Sequence, residues 1–226
     1  MKIMKIGILG GIGPQATGIF YLKLIDKLQA EGLIKNNQDF PQIVINSIPA
    51  PELIFDKIDN KDLDIYKKGL KELDEFNPDF IVMVCNTIHL YYDELQSEIK
   101  NELIDLRQEV YKKIKSLNVK SVTVFGTPST INLGLYNFEG INYLDVSKDE
   151  TQELSNAIFL FNKGFEKENQ RRKVEVIAKK YLSKDSEIIL LGCTEFAVML
   201  DSSEIHKLDT IDVLVECVVE RCRLRG

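Results

Sequence analysis

The stretch GILGGIGPQAT, Gly7–Thr17, puts Gly7, Gly10, Gly11, Gly13 and Pro14 within eight residues near the front of the chain. The apolar run before it, KIGILG, reads as a buried strand. The residues after it carry apolar side chains at Ile19, Phe20, Leu22, Ile25 and Leu28, a helical stripe. Pro14 suits the first turn of that helix, where its missing N–H would have no partner anyway. Strand, glycine turn and helix in this order predict an α/β sheet whose strand ends carry the functional loops.

Working outward, the pattern repeats. A strand is expected at 42–48, a loop through PAPEL at 49–53, a helix near 62–76 and a strand at 80–85, with a further helix after the CNTIH turn. A second series begins near Asp105 with a helix to Leu117, the strand SVTVFG at 121–126 and a short helical segment after TPST. It continues with the strand INYLDV, helical stretches across 150–182, the strand EIILLG at 187–192 and a terminal amphipathic helix at 211–223. The alternation predicts an α/β fold with mostly parallel, covered sheets, and the two series look alike, as the halves of a pseudo-twofold duplication would. The expected boundaries are 1–104 with 208–226 for the first domain and 105–207 for the second.

Composition narrows the functional classes. The chain has 226 residues, 44% of them hydrophobic, enough for a sizeable core. Acidic residues outnumber basic ones by 35 to 29, the net charge is −6, and no Lys/Arg block is long enough to track phosphates, so nucleic acid is not an expected partner. The N-terminal run reads as a first strand and not as a leader, and no apolar span is long enough for a membrane; a soluble cytoplasmic protein is expected. Cys85, Cys193, Cys217 and Cys222 show no CxxC and no metal-ligand spacing, so reduced thiols and no metal are expected.

Gly11-Ile12-Gly13-Pro14-Gln15-Ala16 fits the letters of a dinucleotide fingerprint, but the second strand ends without the acidic residue that would hold a ribose. A small anion held by N–H groups at the helix start is the alternative. The chemistry is read from two cysteines, each ending an apolar strand before a polar turn: VMVCNTIH, 82–89, and LLGCTEF, 190–196. Thiolate and thiol on opposite faces of a carbon can remove and return a proton without a redox cofactor, and nearby N–H groups are expected to lower a thiol pKa for that task. Asn86, Thr87, Thr127, Ser129, Thr130 and Thr194 offer short hydrogen-bonding groups for a substrate carboxylate or amine. His89, four residues after Cys85, allows a Cys–His nucleophile, and Cys85, His89, Cys193 and Glu195 would have to converge to bind zinc. His206, in a polar loop, is expected to be exposed. Cys217 and Cys222 lack a polar turn and read as packing or surface residues.

With GILGGIGPQAT, VCNTIH and LLGCTEF in this order, the sequence resembles the cofactor-independent aspartate/glutamate racemase superfamily, most closely its aspartate branch. The resemblance implies two similar α/β domains with the active site in the cleft between them, Cys85 and Cys193 as the two catalytic bases, no cofactor, and a homodimer acting on a small acidic amino acid. It puts Gly11 under the substrate, gives the polar residues beside the cysteines and in TPST to its carboxylate, and assigns Lys163 to the distal carboxylate. Glu195 after GCT points to aspartate, where glutamate racemases usually have histidine. Leu53 stands where aspartate racemases often have an arginine, and Val84 and Ile88 also depart from the pattern. Glutamate, hydantoin and broad-specificity racemases are the near alternatives; a non-catalytic carboxylate-binding protein is the distant one.

Overall fold

The computed structural model describes residues 3–51, 53 and 60–225; Glu52 of the expected PAPEL loop lies outside them. The first series of elements is β1 (Lys5–Gly10), α1 (Pro14–Ala30), β2 (Gln42–Ser47), α2 (Asn60–Glu75), β3 (Phe80–Met83), α3 (Tyr92–Ser97) and α4 (Leu106–Ser116). The second is β4 (Ser121–Gly126), α5 (Pro128–Asn132), β5 (Asn142–Tyr143), α6 (Lys148–Asn162), α7 (Lys167–Leu182), β6 (Ile188–Gly192), α8 (Thr194–Met199), β7 (Lys207–Asp209) and α9 (Thr210–Arg225). One sheet has the order β2-β1-β3 and the other β5-β4-β6-β7, and every described pairing is parallel. The architecture is α/β with parallel sheets, as the alternation predicts.

Side-chain alternation along the central strands divides the core. Ile6 and Ile8 of β1 join a large cluster that runs through both sheets to Val122, Phe125, Leu190 and Phe196. Leu9 of β1 turns to the other face, where Ile81, Met83 and Cys85 pack with Tyr66 and Leu70 of α2. The larger cluster therefore joins the two series, while the second lies within the first series. α1 buries Ala16, Phe20, Leu24 and Leu28, while Leu22, read as part of its apolar stripe, is 62% exposed.

The strand β7 was not foreseen. Three residues of the stretch read as a polar loop pair with Ile189, Leu190 and Leu191 and extend the second sheet. Residue 208 lies in β7, and α9 packs against both α1 and α4. INYLDV contributes only the edge strand Asn142–Tyr143, with one further backbone bond from Leu144 to Val122. His206 is exposed, as expected.

Candidate active site

Four strand ends point into one place. β1 delivers Gly11 and Gly13, β3 delivers Cys85, β4 delivers Thr127 and β6 delivers Cys193, all to the walls of a cavity of about 420 Å³. This is the carboxyl edge of both parallel sheets, where α/β proteins bind ligands, and the volume suits a small molecule.

The glycine turn is fixed by close approach. Gly11 has φ +83°, and a Cβ there would lie 2.3 Å from the carbonyl oxygen and 2.6 Å from the nitrogen of Ile48. Gly13, at φ +89°, caps α1 without a side chain, and a Cβ there would lie 2.6 Å from Glu195 Oε1. The α1 start therefore already faces a carboxylate from the second series. A dinucleotide pyrophosphate would have to enter beside that charge, which argues against the fingerprint reading.

Cys85 and Cys193 are both buried and reduced, and both line the cavity. Backbone N–H groups of Thr87 and Ile88 favour the Cys85 thiolate, as expected, but burial and the charge of Glu195 outweigh them, and the thiol is pushed up to about 12. Cys193 is also raised, first by burial and then by Glu195, whose Oε2 accepts a hydrogen bond from its sulfur at 2.9 Å. The expectation of a lowered thiol pKa is thus corrected: desolvation disfavours a thiolate more than two amides favour it.

The remaining residues fall into two sets. Thr87 and Thr127 line the cavity and bond each other at 3.1 Å, and both bond Thr130 behind them at 3.1 Å, so a hydroxyl triangle ties the two series together. Thr127 also caps α5 by accepting from the Thr130 N–H. The Asn86 side chain is turned away from the cavity: its amide donates to Thr210 Oγ1 at 3.0 Å and its oxygen accepts from the Tyr136 hydroxyl. Thr210 in turn donates to the Leu191 carbonyl at 2.9 Å. Thr194 donates to Glu195 Oε2 at 3.2 Å, and neither it nor Ser129 lines the cavity. Lys163, at the end of α6, is exposed and lays its ammonium 3.8 Å over the Phe159 ring, one turn back. It is not among the residues that line the cavity.

His89 does not meet a thiol. The chain after Cys85 enters a 3₁₀ turn at Thr87–Tyr91, and the His89 Nδ1 lies 2.8 Å from the Cys85 carbonyl oxygen, with Nε2 3.4 Å from that of Ile104. Burial lowers its pKa. The Cys–His nucleophile and the zinc site both fail on this geometry. Among the described residues no group of three or more His, Cys, Asp or Glu side chains is placed to hold a metal ion, and no helix is long and apolar enough to cross a membrane.

Sequence reasoning missed Tyr136 and Thr210, which anchor Asn86, and the cavity walls formed by Phe161, Asn162 and Val198. Phe161 and Val198 carried no signal, since an apolar residue in a helix reads as core either way. Among the described lining residues Glu195 is the one charged side chain.

The fold is shared with solved structures of a Picrophilus torridus aspartate racemase (TM-score 0.79, 22% identity, 97% of this chain and 94% of that one) and an aspartate racemase homologue from Pyrococcus horikoshii OT3 (TM-score 0.74, 23% identity, 98% and 100%). By class, the protein is an amino-acid racemase that works without pyridoxal phosphate. More narrowly, the chain belongs to the Asp/Glu/hydantoin racemase family, whose profile matches residues 9–218. A broad-specificity amino-acid racemase, RacX of Bacillus subtilis strain 168, is 30% identical over 222 residues, covering 95% of this chain and 96% of that protein.

Proposed function

We propose that the protein racemises free α-amino acids by two-base proton transfer between Cys85 and Cys193. One cysteine, as thiolate, takes the α-proton and becomes a thiol; the other, as thiol, gives its proton to the opposite face of the carbanion and becomes the thiolate. Atoms balance, and the two sulfurs exchange protonation states in each turnover. The observation that carries this reading is that cysteines at the ends of strands from different sheets line one cavity.

Burial and Glu195 raise both thiols, so a nearby positive charge is needed to favour a thiolate. A substrate ammonium near the sulfurs favours a thiolate by opposite charge. That Thr87, Thr127 and the glycine turn line the cavity supports giving them to the α-carboxylate, whose negative charge grows as the proton leaves.

Aspartate, the substrate that the resemblance favours, draws support from Glu195 after GCT. Broad specificity draws support from the similarity to RacX and from the position of Lys163 outside the cavity. A homodimer working in the cytoplasm completes the reading. Racemisation is tested in deuterated water with L- and D-aspartate, glutamate and a neutral amino acid. Deuterium at the α carbon with loss of optical rotation is expected for at least one of them; retention of both the proton and the rotation in every case removes the proposal.

A further inference from the structure

Part of the cavity lining is apolar. Leu53 reaches it from the first series, at 6% exposure, and Phe161 and Val198 reach it from α6 and α8. Ala50 and Pro51 continue the same surface. Each of these side chains belongs to an apolar type, and Leu53 and Phe161 are packed into two separate core clusters, so both are backed by close-packed interior.

The Phe161 ring is fixed from outside. Lys167 Nζ lies 4.7 Å and the Arg171 guanidinium carbon 5.8 Å from its centroid, and neither residue lines the cavity. The two cations are engaged by the ring face. Within the described lining the one formal charge is the carboxylate of Glu195, and its nearest hydrogen-bonding partners are Cys193, Thr194 and Asn162.

Resting on the racemase reading, we propose that this apolar surface receives the substrate side chain and selects amino acids whose side chains are uncharged and apolar, such as leucine or methionine, over aspartate and glutamate. A carboxylate placed against Leu53, Phe161 and Val198 loses its hydration and gains no described cation, while Glu195 repels it. An apolar side chain of suitable size gains burial there without opposing cost. Leu53, Phe161 and Val198 are the specificity-determining residues.

The test compares kcat/KM for leucine, methionine, aspartate, glutamate, lysine and arginine with the unaltered protein, by α-deuteration and chiral separation. Leucine or methionine is expected to exceed both acidic substrates by about tenfold or more, the scale on which a hydrophobic pocket discriminates. Equal or better turnover of aspartate or glutamate overturns this proposal and leaves the racemase reading standing. Preferred turnover of lysine or arginine also overturns it, and would assign Glu195 to the side chain. Exchange with none of the six removes both readings. Leu53→Arg supplies a cation to the same wall and is expected to shift the leucine-to-aspartate ratio toward aspartate by about tenfold. Val198→Lys places a cation at a second apolar lining position should Leu53→Arg fold poorly. An unchanged ratio in a folded variant takes the side chain away from this surface.

Discussion

The Cys193 sulfhydryl donates to Glu195 Oε2 at 2.9 Å, while Glu195 Oε1 stands across from Gly13 at the start of α1. One carboxylate thus holds a thiol of the second series and closes on the glycine turn of the first. Its charge is one cause of the raised pKa of Cys193 and, at longer range, of Cys85. Glu195→Gln keeps the shape and removes the charge. Both thiols are expected to titrate at lower pH in the variant, with the larger change at Cys193, as followed by ultraviolet thiolate absorbance in single-cysteine backgrounds. An unshifted titration of Cys193 would remove Glu195 as a cause of its high pKa.

Cys85→Ser and Cys193→Ser are each expected to abolish racemisation while leaving α-proton exchange with one enantiomer, because the remaining thiol still reaches one face. Cys217→Ser and Cys222→Ser are expected to keep near-normal rates. Cys217 is buried on α9, and Cys222 contacts the Met4 sulfur at 3.3 Å, both away from the cavity. Chiral chromatography and proton NMR in deuterated water separate the two activities. Equal damage from Cys217→Ser would break the assignment of the thiols.

What the sequence made legible is what local rules encode. The glycine turn needs Gly11 and Gly13 because of positive φ and close neighbours, and both cysteines end apolar strands, so the strand ends of the site could be read directly. Side-chain direction could not. Asn86 turns to Tyr136 and Thr210, which lie far along the chain, and Lys163 turns to an aromatic ring rather than into the cavity. β7 escaped because three residues, KLD, show no alternation and gain their strand geometry only by pairing with β6.

Gly13→Ala is expected to fold and to lose activity. The left-handed backbone costs about 1–2 kcal/mol for an L-residue, and the new methyl displaces the Glu195 carboxylate that meets it. Gly11→Ala is expected to be worse, since its methyl meets the Ile48 backbone, which cannot move without disturbing β2. Denaturant melts of the two variants rank them; a more stable Gly11→Ala would contradict the packing of this turn.

The raised thiols also fix the direction of an alkaline instability. For Cys85 the folded state holds its proton up to about 12, whereas the unfolded chain releases it near the ordinary thiol value of about 8.5. Below that value the two states bind the same number of protons and stability is independent of this group. Above it the folded state binds more, so stability is lost as pH rises through the window, by up to about 1.4 kcal/mol per pH unit per thiol. Cys193 is raised for the same leading reason and adds a loss of the same sign. Urea midpoints measured from pH 8 upward, where lysine and tyrosine titrations give a common background, are expected to fall less steeply in Cys85→Ser and least in the double Cys85→Ser, Cys193→Ser variant. A slope unchanged by either substitution would mean that the buried thiols ionise in the folded protein as readily as in the unfolded chain.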